Sequence, residues 1–118
     1  MKNNIGEAIK RVEDQGFKVE VEHNRFSQSD FTEIQRAVHL IEKAGGTITK
    51  GVERDLVKNY TFVKSGPNVA PRGGETQVSI SKGDKIWFGY AYCSISDNFS
   101  REEGVEKALA RAVRASRA

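Results

Sequence analysis

Cysteine is almost missing from this sequence: Cys93 stands alone among 118 residues, so no intrachain disulfide can form and no zinc site built on several cysteines fits within one chain. Histidine is nearly as scarce. His23 and His39 are the only two, and neither stands in a pattern with an acid and a nucleophile that would serve catalysis, so an enzyme, a resident metal and a cofactor are not expected. No GxxxxGK[ST] phosphate loop occurs, which removes nucleotide hydrolysis of that kind. Long apolar runs are absent as well. The start, MKNNIGEAIKRVED, mixes charge with single apolar residues and reads as neither a leader nor a membrane span, so a reducing cytoplasmic setting is expected. The excess of one charge is small: 19 Lys+Arg against 16 Asp+Glu give +3, too little to mark a nucleic-acid protein by itself.

The length suits one domain over residues 1–118, and 37% hydrophobic residues allow only a modest core, which makes a homo-oligomer an expected state. Periodicity then orders the chain. Ile5, Ala8, Ile9 and Val12 form one face of a short helix over 4–15 that Gly16 stops, and Phe17, Val19 and Val21 alternate with charged residues as a half-buried strand does. Asp30 and Glu33 predict a capping box for a helix over 30–44, with Phe31, Ile34, Ala37, Val38 and Ile41 as its stripe and Gly45-Gly46 as its stop. Thr47-Ile48-Thr49 and Tyr60–Val63 read as strands around GVERDLVKN, a loop or a helical turn, and SGPNVAPRGG (65–74) reads as a loop. Thr76, Val78 and Ile80, the turn SKGDK, and Ile86, Phe88, Tyr90 and Tyr92 predict a β-hairpin, with Trp87 facing outward or toward a partner chain. Ser100 and Glu103 cap a last helix whose stripe is Val105, Ala108, Leu109, Ala112 and Val113. The fold expected is α+β: an antiparallel sheet of about four strands, an amphipathic N-terminal or central helix and a basic C-terminal helix.

The junction CSISDNFSREEG (93–104) is rich in groups that bind. A strand-to-helix junction exposes backbone N–H groups at the positive end of the helix dipole and can seat an anion, with Asp97 and Asn98 at hand for hydroxyls or amides. Phe99, just before the cap, serves either as a staple onto Gly104 or Val105 or as a stacking surface. Arg101 on the first turn opposes the dipole unless an anion offsets it, although it can also pair with Glu102 or point to solvent. Lys107, Arg111 and Arg114 follow at steps of four and three and can line a basic groove with Arg101, or sit solvated near the helix C-terminus. Arg72, beside Gly73-Gly74, either reaches a phosphate or simply leads into a strand. Cys93 reads as a small buried hydrophobe rather than a nucleophile.

The run GYAYCSISDNFSREEGVEKALARA, preceded by PRGGETQVSI, resembles small bacteriophage proteins, and most nearly the Thoeris anti-defence sponges that bind cyclic ADP-ribose isomers, and in some members cyclic oligonucleotides, without degrading them. The likeness covers about residues 70 to 112. It implies a non-enzymatic oligomer in the host-cell cytoplasm with a pocket between protomers, and it assigns ligand contacts to Asp97, Asn98, Phe99, Arg101 and Arg111. Glu102, Glu103 and Glu106 depart from the family pattern, where more basic residues are expected. Two other readings stand beside it. One is a protein antagonist of a host defence complex. The other is duplex RNA binding, because the order helix (30–44), strand, SGP loop, hairpin, helix also resembles the double-stranded-RNA-binding domain, with SREEGVEKALARAV in place of its C-terminal helix; the family's gripping lysines are replaced here by Arg101-Glu102-Glu103, which makes nucleic acid the less favoured partner.

Overall fold

The computed structural model describes residues 5–63 and 68–118. The first element, α1 (Ile5–Asp14), has the expected apolar face and ends where Gly16 takes a positive φ of 96°. Strand β1 (Lys18–Asn24) follows. Helix α2 (Gln28–Lys43) begins two residues ahead of the expected start, because Ser27 and not Asp30 is its cap: Ser27 Oγ accepts from the Asp30 backbone N–H at 3.2 Å.

The segment Thr47-Ile48-Thr49 is not a strand. Thr49 Oγ1 accepts from the Val52 N–H at 3.2 Å and caps a short helix, α3 (Lys50–Val57), out of the stretch that sequence left undecided. Tyr60–Val63 contributes one isolated bridge, Val63 to Arg25, so among the described residues the sheet has three strands instead of about four. Of the loop expected at 65–74, residues 65–67 lie outside the described residues, and Arg72-Gly73-Gly74 already belongs to β2 (Arg72–Lys82). Strand β3 (Lys85–Asn98) returns through a two-residue turn in which Gly83 alone has a positive φ, 65°, the pattern of a type II′ hairpin. Helix α4 (Arg101–Arg117) closes the chain, with Ser100 Oγ accepting from the Glu103 N–H at 3.2 Å as the capping box predicted.

The sheet is antiparallel in the order β1-β2-β3. Helices α1 and α4 pack on the face that carries Val78, Ile80 and Ala91, and with Val12, Val105, Ala108, Leu109 and Ala112 they form one apolar core. Trp87 lies on this covered side, its ring 5.8 Å from Phe17 and edge-on to it, so the expectation that it faces outward is reversed. Ile86, Phe88 and Tyr90, of the opposite parity, are the exposed ones. Gly89 decides the matter: a side chain there would run into the backbone of Ala108 and Ala112, so α4 can lie on β3 only over the Gly89 face.

A second core gathers Phe26, Phe31, Ile34, Val57, Ala70 and Ile95 from α2, α3, the flanking loops and the end of β3. Arg25 helps close it by donating from Nη2 to the Ala70 carbonyl at 2.8 Å. The order helix (30–44), strand, loop, hairpin, helix expected of a duplex-RNA layout does not form among the described residues: α2 is followed by α3 and one isolated bridge at Val63 instead of a strand, and the third strand of the sheet is β1, ahead of α2. Among the described residues no helix is long and apolar enough to cross a membrane.

Candidate functional site

The site lies where the two cores meet, along an irregular end of β3. Gly74 pairs with Cys93 and Arg72 with Asn98, so Gly73 alone on β2 stands opposite Ser94, Ile95, Ser96 and Asp97 on β3. The surplus residues bow out of the sheet. Gly73 and Gly74 hold positive φ values of 74° and 129°, and added side chains would press on Phe26 at Gly73 and on Asn24 O and the Phe99 ring at Gly74. The glycine pair therefore makes room for the chain's own rings and not for a ligand beside a flexible loop.

Glu53 of α3 fixes the bowed segment. The residue is only 8% exposed, and its carboxylate accepts at Oε2 from the Tyr92 hydroxyl (2.7 Å) and the Ile95 N–H (3.1 Å) and at Oε1 from Ser94 Oγ (3.0 Å). Burial and the neighbouring carboxylate push the Tyr92 phenol far above its ordinary range, so it stays protonated as the donor. The Arg54 guanidinium sits 5.4 Å from the centre of the Tyr92 ring. Sequence reasoning passed over Glu53, yet it stands four residues before Val57, in the buried stripe of a helix, and a lone acid in that place is a signal.

Two adjoining clefts flank this segment. The first, about 430 Å³, is lined by Asp97, Asn98, Phe99, Ser100, Glu103 and Lys107 around Cys93. The second, about 510 Å³, runs between α3 and α4 and collects Lys50, Arg54, Lys107 and Arg111 beside Tyr92, Ser96 and Asp97. Lys107 and Asp97 belong to both. Their chemistry differs. The first offers two carboxylates, an amide, hydroxyls and Lys107 at the start of α4, where Ser100 already takes the Glu103 N–H. The second offers four cations from two helices.

The expected site residues thus separate. Asp97, Asn98, Phe99, Lys107 and Arg111 come together. Arg72 lines a third hollow of about 470 Å³ on the α2–α3 side, with His39, Ser94 and Ser96. Arg101 lines none of these spaces, and its charge acts on His23. Arg114 rims a groove between α1 and α4. The single basic row is therefore split, because α4 lies between α1 and the β3 edge and its solvent-side residues lean to one flank or the other. Lys50 and Arg54 were missed with the helix that carries them.

Several groups are already engaged. The Phe99 ring meets His23 edge-on at 5.5 Å and lies 4.7 Å from the Arg25 guanidinium, and it shares the first cleft with Gly104 of α4. Arg111 Nη1 donates to the Tyr90 carbonyl on the outer edge of β3. Cys93 Sγ lies 3.5–3.6 Å from the carbonyl oxygens of Ser94, Asp97 and Asn98. Burial pushes its pKa up, and Asp97, Glu103 and Glu53 add to the effect against one lowering contact from the Gly73 backbone, so the group is a thiol and a poor nucleophile at neutral pH. Among the described residues no three His, Cys, Asp or Glu side chains gather as a metal site.

The chain matches no protein-family model, no curated protein and no solved structure.

Proposed function

We propose that the protein binds a small phosphorylated, base-bearing ligand without transforming it, with phosphates between Lys50, Arg54, Lys107 and Arg111 and the sugar or base edge against Asp97, Asn98 and Ser100. The observation that carries this reading is the convergence of four cations from α3 and α4 on one cleft that opens into a carboxylate- and amide-lined neighbour. A nucleotide presents the same two chemistries side by side. The raised thiol of Cys93 supports binding over nucleophilic chemistry. The resemblance of residues 70 to 112 to phage sponges supplies the ligand class, a cyclic ADP-ribose isomer or cyclic oligonucleotide acting as an immune signal, and makes sequestration the purpose of binding.

The test is thermal shift of the purified protein with cyclic ADP-ribose isomers and cyclic di- and trinucleotides, followed by heating to recover the ligand. A shift with intact release supports the reading, provided that Lys107→Ala and Arg111→Ala lose it and Arg114→Ala keeps it. Degraded ligand would expose an active site, and no shift with any nucleotide would turn attention to an antagonist of a host protein. Duplex RNA stays the second reading because α1, β1, the β2–β3 hairpin and α4 follow one another around the interposed α2 and α3. It predicts filter binding whose affinity falls steeply with salt.

A further inference from the structure

The face of the sheet away from α1 and α4 is divided. At one end α3 covers it: Glu53 holds the Tyr92 hydroxyl, and the Arg54 guanidinium lies 5.4 Å from the centre of the Tyr92 ring. Beyond Tyr92 the same parity of β3 opens to solvent through Tyr90, Phe88 and Ile86, exposed to 47%, 42% and 52%. The Phe88 and Tyr90 rings are 6.4 Å apart and within 18° of parallel, so they form one platform. Opposite them β2 sets only Ser79 and Gln77, which bring no apolar cover.

The four-cation cleft adjoins this platform along the outer edge of β3. Lys107 and Arg111 reach it from α4 on one face of the sheet, and Lys50 and Arg54 from α3 on the other. All four are exposed. Arg111 Nη1 donates to the Tyr90 carbonyl at 2.6 Å, which fixes a guanidinium at the strand edge beside the first open ring and uses one of its five N–H donors. The carboxylates lining the cleft are Asp97 and Glu53, and the oxygens of Glu53 already accept three hydrogen bonds, so the cations are in surplus. Glu20 and Glu22 stand on β1, two strand spacings or about 10 Å from β3, with Glu20 bridged to Lys18. Phosphates are therefore favoured at the Arg111 edge and disfavoured across the sheet.

We infer that the ligand of the cleft is a single-stranded oligonucleotide, its phosphates at the β3 edge among Lys50, Arg54, Lys107 and Arg111 and the base of the adjoining nucleotide stacked on Tyr90 and Phe88. This rests on the reading of the cleft as a phosphate site and extends it from one nucleotide to two or more. Every base has a face that can stack on an aromatic ring, but only an unpaired base has that face free, which favours a single strand over a duplex. A ligand with one base would fill the cleft and leave the platform empty. A second copy of the chain on the rings would cover their apolar surface and leave the adjoining cations without a role.

The test is isothermal titration calorimetry of the full chain with thymidine diphosphate and with oligothymidylates of about two to eight nucleotides. Affinity is expected to rise from the diphosphate to the oligomers. Phe88→Ala and Tyr90→Ala are each expected to weaken the oligomers about tenfold and to leave thymidine diphosphate unchanged, whereas Tyr90→Trp keeps both affinities. Neither ring belongs to an apolar core, so these variants probe binding and not folding. Arg54→Ala and Lys107→Ala are expected to weaken every probe. A rise with length that comes from added charge alone would leave the two alanine variants at wild-type affinity, and that result would overturn the inference. So would oligomers bound no tighter than the diphosphate, a duplex of equal length bound as tightly, or a loss of self-association in sedimentation of Phe88→Ala with strand binding unchanged. Each of these leaves the phosphate reading of the cleft standing. Silence from all the probes, thymidine diphosphate included, would sink that reading and this inference with it.

Discussion

The α1–α4 side of the sheet and the α2–α3 lobe solve the same packing problem in opposite ways. On the sheet, small residues bring backbones together: Gly89 beneath Ala108 and Ala112, and Gly104 against the fully buried Thr76. In the lobe, rings fill the space, with Phe26 wholly buried and tilted against Phe62 at 5.0 Å, and a buried acid, Glu53, ties α3 to β3. At Gly89 and Gly104 the sheet side has no room for added volume, whereas at Phe26 the lobe has most to lose from volume removed. The candidate clefts lie in the seam, where neither rule holds and polar groups remain accessible.

A mirror pair of substitutions tests that contrast with the largest expected effects. Phe26→Ala is expected to cost about 4 kcal/mol and to release the lobe first, and Gly89→Ala to cost about 3 kcal/mol by overpacking and to release α4 first. Urea unfolding measures the totals. Hydrogen exchange locates the damage, with α2 and α3 losing protection in the first variant and α4 in the second. Equal loss across both regions would show that the two cores unfold as one unit.

The seam comes next in size. Glu53→Ala leaves the Tyr92 hydroxyl, Ser94 Oγ and the buried Ile95 N–H without their acceptor, an expected loss of about 2 kcal/mol. The damage should concentrate at residues 93–98 and take the proposed ligand binding with it, because the same segment lines both clefts. Glu53→Gln keeps a carbonyl acceptor and is expected to retain part of both. Unchanged exchange at Ile95 in Glu53→Ala would mean that the bowed strand is held by its glycines and not by the carboxylate.

How much of this could be read in advance follows from the same contrast. The sheet side was legible because α1, β1, the hairpin and α4 each carry an uninterrupted period, and Ser100 lies where its capping box places it. Alternation along β3 could not tell which parity faces inward, since both carry aromatic residues; Gly89 and Ala91, on the parity of Trp87, mark the side α4 approaches. In the lobe, Asp30 imitated the cap that Ser27 supplies, and three β-branched residues hid the cap at Thr49. With α3 went Lys50, Glu53 and Arg54. Lys107 and Arg111 could be grouped because they lie on a helix whose period was clear, Asp97 and Asn98 were singled out by the chemistry of the junction and not by any period, and Arg114 faces a different groove because helical spacing says nothing about α1 standing on its other side.

The smallest expected effect sharpens the boundary between the two regions. His23 sits at the end of β1, its Nδ1 3.1 Å from Thr76 Oγ1 and its ring against Phe99. Burial lowers its pKa from the usual 6.5, and the positive charges of Arg101 and Arg25 lower it further. The unfolded chain therefore takes up a proton before the folded one does. Above 6.5 the residue is neutral in both states and its contribution is intact; as pH falls below 6.5 toward the folded value, stability declines and then levels off. Glu75, whose carboxyl is raised by burial against a lowering pull from Arg54, acts in the opposite sense at the acidic end, so the wild-type curve mixes the two. Thermal unfolding of the protein and of His23→Gln from about pH 8 to about pH 5 separates them, and the difference between the two curves is expected to shrink as pH falls through the histidine range. A difference that stays constant with pH would mean that protonation of His23 is tolerated in the fold, and that Phe99 and Arg25 hold the end of β1 without requiring a neutral imidazole.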